Sequence, residues 1–517
     1  MSEALGLWKI AEDDPGRLAV ADPEGREYSY AELAALANRV SHGLRAHGLK
    51  EGDGIAVALP NSIEFLALYF GAMQIGLYFT PINWHLVGPE IAYIVDDSEA
   101  SIFIAHERFG DIAQTAAKEI QIGSEGLFAV GVVDGFRSFS ELIEGRPDTL
   151  PDNRSTGAPM QYTSGTTGRP KGVRRKLTGA NPDDAAALSG LFFGLFGIKP
   201  HDGNVHICGS PLYHTAPIVF GSTSINLGHP MVLMEKWTPE EMLRLIEKYK
   251  VTQSHMVPTQ FHRLLALPDD VKNSYDLSSL RTMIHAAAPC PVDIKRRMLE
   301  WWGPVIVEYY AATEGGGTLV MPEQWLQKPG TVGTPWPTSE IKIFDDDGNE
   351  MPVNEPGTVY MRMGAGEFEY FKDEEKTKKA RLKDHFTVGD IGYLDEDGYL
   401  FLCDRKSDMI ISGGVNIYPA EIEGVFLLHP KVGDVAVFGI PHPDWGEEIK
   451  AVVEPAAGEV ASDELTNELI AFAAERLAKF KMPKTIDYID EMPRDPNGKL
   501  YKRRLRDPYW EGKARAI

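Results

Sequence analysis

The sequence has little cysteine and no long uninterrupted apolar run. Its three cysteines are far apart among 517 residues and form no CxxC pair. That pattern argues against structural zinc and disulfides and indicates a reducing cytoplasm. The first residues, MSEALGLWKIAEDDPG, lack the basic start and apolar stretch of a signal peptide. Residues 65–82 approach the length of a membrane span, but Gly71, Gln74 and Gly76 interrupt them. We therefore expect a buried helix followed by a buried strand there, and no membrane span.

Positive charge is also scarce. The chain carries 52 Lys and Arg against 75 Asp and Glu, a formal net charge of −23. This balance argues against nucleic acid or an anionic membrane as the main partner. An anionic substrate would therefore have to be met by local basic groups. The remaining composition, 43% hydrophobic and 25% charged, is typical of a globular protein.

Strand and helix patterns alternate along most of the chain. Ser29 and Glu32 form a capping box before an amphipathic helix. The alternation continues through GIAVALP, SIFIAH, HPMVLM and the helical TPEEMLRLIEKYKV. It predicts α/β layers around largely parallel sheets. From about residue 330, short strands with DG and PG turns predict an antiparallel, β-barrel-like subdomain.

A compact α+β unit restarts after Asp404. DMIISGGVNIYP predicts a hairpin, Pro419 marks a helix start, and an amphipathic helix follows at about residues 465–477. We predict a domain boundary near residues 403–408, between a large N-terminal part of residues 1–403 and a small C-terminal part of residues 409–517.

The stretch YTSGTTGRPKGV, residues 162–173, combines hydroxyls, glycines and a lysine. A Walker A loop needs Ser or Thr directly after its lysine and a helix starting there. Lys171 is instead followed by Gly172, and Pro170 keeps the preceding residue out of the helical region. The hydroxyls and glycine backbone can still form an anion site, to which Lys171 adds charge. Taken alone, the stretch fits a solvated surface loop equally well.

Five further motifs accompany this loop: PLYHTAP at 211–217, EYYAATEGGG at 308–317, FTVGDIGYLDEDG at 386–398, DRKSDMIISGGVNIYPAEIE at 404–423 and PRDPNGKLYKRRLR at 493–506. In this order, and over most of the chain, they resemble the AMP-forming acyl-CoA synthetases. That superfamily also contains the firefly luciferases and the adenylation domains of peptide synthetases. The resemblance implies a large domain of residues 1–403, a hinge at 404–408, and a mobile C-terminal domain at 409–517, called the lid below. It also implies two half-reactions. A carboxylate attacks the α-phosphate of Mg·ATP, and after lid rotation the thiol of coenzyme A attacks the resulting acyl-adenylate.

The resemblance also assigns nucleotide contacts. Tyr310 falls where the family stacks an aromatic ring on adenine, and Thr313 matches an α-phosphate contact. Asp390 matches the carboxylate that accepts both ribose hydroxyls, and Arg405 a second ribose contact. The implied cofactor-binding set is Thr163, Ser164, Gly165, Thr166, Thr167, Gly168, Lys171, Ala287, Ala288, Pro289, Glu308, Tyr309, Tyr310, Ala311, Thr313, Asp390, Arg405, Gly413, Gly414 and Lys499. Alanines stand at 287 and 288 where the family usually has glycine, so only a general adenine-side role carries over there.

The implied catalytic residues are Thr163, Lys171, His214, Glu314 and Lys499. Glu314 and Thr163 would bind Mg²⁺, a hard cation that prefers oxygen ligands. Lys499 would reach from the lid to the carboxylate and α-phosphate, which suits a compact charge on a long stem. His214 would lie at the mouth of the acyl site. Without the resemblance, His214 fits a core histidine, Glu314 a solvated carboxylate, and the end of the chain a solvated basic segment.

The hinge departs from the family pattern. Many members have Asp or Lys where this chain has Ser407, which leaves the electrostatic role of that position open. A small residue can still absorb a hinge rotation. Gly413 and Gly414 match the loop that lines the pantetheine tunnel, where glycine permits a close backbone approach.

The acyl group is least well specified. The candidate pocket segments HTAPIVFGS, MVPTQFHRLL and ATEGGGTLV are mostly apolar and place no acidic residue for an amino-acid ammonium. They predict a hydrophobic acid, either a fatty acid or a bulky polycyclic or terpenoid-like acid. The small residues 315–317 either leave room for a large acyl group or serve only the backbone turn.

Three functions follow from these residues. A cytoplasmic coenzyme A ligase using ATP, Mg²⁺ and coenzyme A is expected, with a homodimer kept open as its assembly. The second is a standalone adenylating enzyme that feeds a luciferase-like oxidation or loads a carrier protein, in trans because the sequence contains no carrier domain. The third is a non-catalytic nucleotide-binding protein, against which Lys171, Glu314, Asp390 and Lys499 argue.

Overall fold

The computed structural model describes residues 4–163, 170–312, 315–363, 369–494 and 498–512. They form two compact units. The first comprises residues 1–256, 267–284 and 365–378, and the second comprises residues 257–266, 285–364 and 379–517. The predicted boundary at 403–408 falls inside the second unit and stays a prediction.

The helices of the described residues are short to medium in length. They are α1 (Leu7–Asp13), α2 (Tyr30–Ala46), α3 (Ile63–Met73), α4 (Gly88–Asp97), α5 (Gly110–Ala117), α6 (Phe139–Ile143), α7 (Pro182–Gly194), α8 (Thr215–Asn226), α9 (Pro239–Tyr249), α10 (Pro258–Leu265), α11 (Asp269–Lys272), α12 (Val292–Trp302), α13 (Pro322–Gln327), α14 (Glu374–Lys379), α15 (Pro419–Phe426), α16 (Asp463–Ala474) and α17 (Lys502–Trp510).

The strands of the first unit are β1 (Leu18–Ala21), β2 (Glu27–Ser29), β3 (Gly54–Ala58), β4 (Tyr78–Pro81), β5 (Ala100–His106), β6 (Leu127–Val130), β7 (Arg137–Ser138), β8 (Ala158–Pro159), β9 (Gln161–Thr163), β10 (Lys171–Arg174), β11 (His206–Cys208), β12 (Met231–Leu233), β13 (Gln253–Met256), most of β14 (Thr282–His285) and β20 (Glu369–Tyr370). Those of the second unit are β15 (Ile306–Ala312), β16 (Gly315–Val320), β17 (Thr334–Pro335), β18 (Ser339–Phe344), β19 (Gly357–Met363), β21 (Arg381–Leu382), β22 (His385–Phe386), β23 (Asp390–Leu394), β24 (Leu400–Arg405), β25 (Ile410–Ser412), β26 (Val415–Ile417), β27 (Val432–His442), β28 (Gly446–Pro455) and β29 (Thr485–Tyr488).

Parallel pairing dominates the first unit, as predicted. One sheet runs β7-β6-β5-β3-β4-β8 with every pair parallel. A second places β13, β11, β12 and β1 in parallel order, with β2 antiparallel to β1. Both sheets contribute to one apolar core with α2 and α3, which includes Leu33, Val57, Phe65 and Leu233. The capping box of Ser29 and Glu32 at the start of α2 is confirmed.

The apolar stretch at 65–82 folds as predicted. It forms most of α3 and then β4, and β4 is buried along its whole length. No helix in the described ranges is both long and apolar enough to cross a membrane.

The second unit confirms the antiparallel pairing expected after residue 330. Strands β18, β19, β21, β22, β23 and β24 pair antiparallel throughout. The lid contains the sheet β26-β25-β28-β27, with β29 parallel to β28. Helices α15 and α16 share a core with this sheet that includes Ile422, Val437 and Leu465. The predicted hairpin is β25–β26, whose turn residues Gly413 and Gly414 have φ of 59° and 79°. A two-residue turn with both φ values positive accounts for the two glycines.

Candidate functional site

The hydroxyl-rich stretch begins and ends in two paired strands. Lys171 lies directly opposite Thr163 in the antiparallel pair β9–β10, so two of the predicted phosphate-site residues are brought together. Lys171 opens a strand and not a helix, which confirms that this is no Walker A loop. Between them, Ser164, Gly165, Thr166, Thr167 and Gly168 lie outside the described residues, as does the side chain of Thr163.

The ammonium group of Lys171 already has an anionic neighbour. Its Nζ atom lies 3.6 Å from Oδ2 of Asp373, and each side chain is 26% exposed. A partly exposed pair at this separation is weak, because water screens both charges. A ligand with several negative charges can therefore compete for this lysine.

His214 is at the start of α8, in the first unit. It is the N-cap residue, and it follows β11 by six residues in the chain. Its ring lies 4.4 Å from that of Tyr213, and the side chain is half-buried. Ile218 and Phe220, which follow it on α8, are buried.

Tyr310, Asp390 and Arg405 come together in the second unit. The Tyr310 hydroxyl donates a 2.6 Å hydrogen bond to Oδ2 of Asp390. Nε of Arg405 lies 3.4 Å from Oδ1 of the same carboxylate, and Asp390 and Arg405 face each other across β23 and β24. Burial alone would lower the pKa of Arg405, but Asp390 and neighbouring acidic groups raise it. The result is an aromatic ring, a carboxylate and a permanent cation in one place.

The residues around Tyr310 on β15 differ in exposure. Tyr309 is buried, and burial raises the pKa of its hydroxyl. Ala311 is half-buried like Tyr310. Glu308 is buried, and its carboxylate accepts a hydrogen bond from Lys295. The predicted contact of Glu308 with the nucleotide would therefore be made by its backbone. Thr313 and Glu314 lie outside the described residues.

The loop at 286–291 holds one unusual backbone conformation. Ala287 has φ of 76°, a region that alanine rarely adopts. This conformation explains why glycine would be the expected residue here. Ala287 and Pro289 are exposed and Ala288 is half-buried. The loop therefore presents its surface outward, beside the strand that bears Tyr310.

A buried cation near this loop was not predicted from the sequence. Lys295 on α12 is fully buried, and its Nζ lies 2.6 Å from Oε2 of Glu308. Burial raises the pKa of Glu308, and Lys295 opposes that shift. A signal was present, because Lys295 shares its helix face with Met298, Leu299 and Trp302 at positions i+3, i+4 and i+7. An ionisable residue on such a face needs a partner.

Arg494 organises the segment that carries Lys499. It donates from Nε and Nη2 to the two carboxylate oxygens of Asp434, at 2.5 and 2.8 Å. Its Nη1 donates to the carbonyl oxygen of Gly498 at 2.7 Å. Lys499 follows directly and is half-buried. A two-armed contact of this kind restricts the backbone next to Lys499.

One end of the lid lies against α10 and the loop at 286–291. A small cavity of about 70 Å³ is lined by Thr259, Ala288, Pro289, Asp434 and Arg494, among others. Gly498 is buried, with Val257 and Thr259 next to it. Gly413 and Gly414 are exposed instead. In this orientation the lid presents its Lys499 end, and not its glycine hairpin, to α10.

The glycines at 315–317 all have backbone conformations that favour glycine. Their φ values are 127°, 71° and 157°. A Cβ atom on Gly316 would lie 3.1 Å from Cβ of Met361, and one on Gly317 would overlap the carbonyl oxygen of Tyr310. Both directions are occupied by the protein itself, so Gly316 and Gly317 give no evidence of room for a large acyl group.

The predicted hinge is tied to the last helix. Arg506 donates from Nη1 to the carbonyl oxygen of Ser407 at 3.3 Å. Asp404, the first residue of the predicted hinge, accepts a 2.8 Å hydrogen bond from the backbone N–H of Ala420 in α15. These two contacts hold the predicted hinge against α15 and α17.

The predicted Mg²⁺ ligands fall outside the described residues, apart from the backbone of Thr163. Within the described ranges, no group of three or more His, Cys, Asp and Glu side chains is arranged to bind a metal.

Comparison with known proteins gives a consistent result. A family model described as AMP-binding enzyme matches residues 7–368, and one described as AMP-binding enzyme C-terminal domain matches residues 421–499. The chain is 32% identical over 504 residues to the fatty acid–acyl-carrier-protein ligase ScoC of Streptomyces coeruleorubidus, covering 96% of this chain and 94% of that one. It is 31% identical over 486 residues to the long-chain-fatty-acid–CoA ligase FadD13 of Mycobacterium tuberculosis, covering 93% of each. The crystal structure of the anthranilate CoA ligase AuaEII with anthranoyl-AMP superposes with a TM-score of 0.85 at 26% identity, covering 98% of both chains.

Proposed function

The chain belongs to the AMP-binding enzyme family, and on that premise we propose that it is an ATP-dependent acyl-CoA ligase for a hydrophobic carboxylic acid. The single observation that carries the proposal is the contact of Tyr310 with Asp390 beside Arg405. An adenosine needs an aromatic surface for its base and acceptors for its ribose hydroxyls, and this group supplies both.

The nucleoside end of ATP is held by the second unit. The ring of Tyr310 stacks on adenine, and its hydroxyl bond to Asp390 keeps the ring in one orientation. Asp390 accepts hydrogen bonds from the ribose hydroxyls, and Nε of Arg405 lies 3.4 Å from its carboxylate. The exposed surface of the loop at 287–289 flanks the base.

The triphosphate end is met by the stretch from Thr163 to Lys171. Hydroxyls and backbone N–H groups bind the β- and γ-phosphates, and Lys171 leaves its weak pair with Asp373 to join them. Thr163 and Glu314 would hold Mg²⁺. When bound, that ion neutralises phosphate charge as a Lewis acid.

The lid then supplies the last cation. The substrate carboxylate oxygen bonds to the α-phosphorus as the bond to pyrophosphate breaks, which brings one anion against another. Lys499 lowers that repulsion by contacting both the carboxylate and the α-phosphate. The hydrogen bond from Arg494 to Gly498 restricts the positions that the backbone of Lys499 can occupy. In the second half-reaction the thiol sulfur attacks the acyl carbon, and AMP leaves as the C–O bond breaks.

Coenzyme A is favoured as the acceptor by a patch on the lid. This patch consists of Trp445, which is 51% exposed, and Lys484, whose Nζ lies 5.3 Å from the Trp445 ring. The N–H of Gly413 donates to the carbonyl oxygen of Trp445, so the patch adjoins the glycine hairpin. Exposed aromatic rings with cations suit the base and phosphates of a nucleotide.

A carrier protein is the second candidate acceptor. It is supported by the relative ScoC, whose name gives an acyl carrier protein as the acceptor of that enzyme. We also propose the cytoplasm as the compartment, which agrees with three free cysteines. The net charge of −23 disfavours nucleic acid as a partner.

The test is a panel of carboxylic acids, from short and long straight chains to aromatic and polycyclic acids, incubated with ATP, Mg²⁺ and coenzyme A. Pyrophosphate, AMP and thioester are measured together. All three should form with apolar acids. AMP formation without a coenzyme A thioester, with acyl transfer when an acyl carrier protein replaces coenzyme A, would favour the second candidate. Absence of pyrophosphate with every acid would leave only nucleotide binding.

Two variants test the assigned residues. Asp390→Asn should raise the KM for ATP by about 10- to 100-fold, because it weakens hydrogen bonds to a charged acceptor. The control is Asp384→Asn, an exposed carboxylate beside β22 that has no assigned role. Lys499→Ala should slow pyrophosphate release by about 10²–10³ while sparing thioester formation from synthetic acyl-adenylate. Equal losses in both half-reactions would contradict the role of Lys499.

A further inference from the structure

We propose that the buried pair Lys295–Glu308 is a positioning device that sets the adenine side of the nucleotide site, an inference that rests on the proposed function. Lys295 Nζ lies 2.6 Å from Glu308 Oε2, with Lys295 fully buried and Glu308 6% exposed. Both side chains are buried and bonded to each other. Both are therefore positioning residues that act through the backbone they hold.

The pair joins the elements that surround the base. Glu308 precedes Tyr310 by two residues on β15, so the two side chains project from the same face of the strand. Lys295 lies near the start of α12, four residues after the loop at 286–291. His285 is the last residue of β14, directly before that loop, and its Nε2 lies 3.5 Å from the same Glu308 oxygen. One carboxylate thus meets both ends of the loop and the strand of Tyr310.

The loop itself needs such an anchor. Ala287 holds a positive φ and is exposed, as is Pro289, so few contacts of their own side chains can define their position. A strained conformation persists only where the surroundings enforce it. Because both ends of the loop are held against β15, the buried pair determines the distance between Tyr310 and the residues at 287–289.

Stability alone does not account for a charged pair at this place. Desolvating two ions costs about as much as their attraction returns, and apolar residues of similar volume are often as stable. A charged hydrogen bond is directional, however, and defines a distance that apolar packing leaves free. Lys295 Nζ also lies 4.8 Å from the ring centroid of Trp325, which restricts the ammonium further.

The experiment measures AMP and ATP binding by calorimetry, together with the melting temperature Tm. Four variants are compared: Lys295→Met, Lys295→Arg, the double variant Lys295→Met with Glu308→Leu, and Arg154→Met. The last is a matched control, since Arg154 pairs with Asp183 at 2.8 Å, with side chains 10% and 12% exposed, and neither residue has an assigned role.

Lys295→Met should weaken AMP binding by about 10- to 100-fold, the loss expected when one hydrogen bond to a charged group is misaligned. Lys295→Arg should recover part of the affinity. The double variant removes both charges, so it should regain Tm relative to Lys295→Met but not the affinity. Arg154→Met should lower Tm and leave AMP binding unchanged.

The double variant decides between positioning and stability. If it regains both Tm and AMP affinity, or if Arg154→Met weakens AMP binding as much as Lys295→Met, the positioning role is overturned. The double variant also keeps the test valid where Lys295→Met fails to fold. Failure of the unaltered protein to bind AMP or ATP would overturn the proposed function itself, which separates the two outcomes.

Discussion

Replacing Gly498 by alanine would place a methyl group where the lid meets α10. Gly498 has φ of 77°, and a Cβ atom on it would lie 2.9 Å from Oγ1 of Thr259 and 3.2 Å from Cγ2 of Val257. Carbon rarely approaches other atoms so closely, so either α10 or the lid has to move. Because Lys499 is the next residue, any such movement displaces the lysine that the first half-reaction requires.

The magnitude has two parts. A left-handed backbone costs alanine about 1–2 kcal/mol in every lid orientation. Crowding adds about 1–3 kcal/mol, but only while Gly498 lies against Thr259. Gly414 is the matched reference, because its φ is 79° and a methyl group on it would have no described atom within 4 Å beyond its chain neighbours. The difference in free energy between the two alanine variants therefore gives the crowding contribution alone. It is equivalent to a change of about 5- to 150-fold in the occupancy of this lid orientation.

The assay separates the half-reactions. Relative to Gly414→Ala, Gly498→Ala should slow pyrophosphate release by about 5- to 150-fold. It should spare thioester formation from synthetic acyl-adenylate and coenzyme A. Adding Thr259→Ala removes the closest contact and should restore part of the first rate. Equal slowing of both half-reactions, or no recovery with Thr259→Ala, would refute the idea that this orientation serves adenylate formation.

Three further predictions concern other parts of the molecule. Lys171→Ala should slow adenylate formation by about 10²–10³ with little change in Tm, because the side chain is partly exposed, and unchanged turnover would discard its phosphate role. Gly317→Ala should lower Tm and the affinity for ATP, and the loss should be the same with every acid, because its methyl group meets the Tyr310 carbonyl. A loss that depends on the size of the acyl group would instead support a role in the acyl pocket. Burial alone would lower the pKa of Lys502, but Glu423 and other carboxylates raise it to about 12. The stabilisation that this pair gives the folded state should be complete below about pH 10.5 and lost as the pH rises through 12. Circular dichroism followed against pH should show this loss of stability in the unaltered protein and not in Lys502→Met.

Features encoded by neighbouring residues could be predicted from the sequence. The capping box of Ser29, the buried segment at 65–82 and the hairpin at Gly413–Gly414 depend on periodicity and turn chemistry within a few residues. The exclusion of a Walker A loop depends on the single residue after Lys171. The family could be identified from the motifs, because each motif is a short stretch of the chain and only the motifs and their order are needed.

The roles of single side chains were harder to predict where distant segments meet. Glu308 lies inside a motif of the nucleotide site, yet its carboxylate turns to Lys295 in the core. The glycines at 315–317 fitted a pocket and a turn equally well until their neighbours, Met361 and the Tyr310 carbonyl, were known.

By itself, then, the sequence determined the α/β alternation, the turn and capping chemistry, the family and the candidate residues, because each of these is written in short-range pattern. The tertiary structure alone decided that Tyr310 and Asp390 share a hydrogen bond across 80 residues of chain, and that Gly498 lies against Thr259. Such contacts depend on how whole elements pack. The partner of a buried charge and the close neighbour of a glycine are often distant in the sequence. Local sequence patterns therefore do not predict which residues they are.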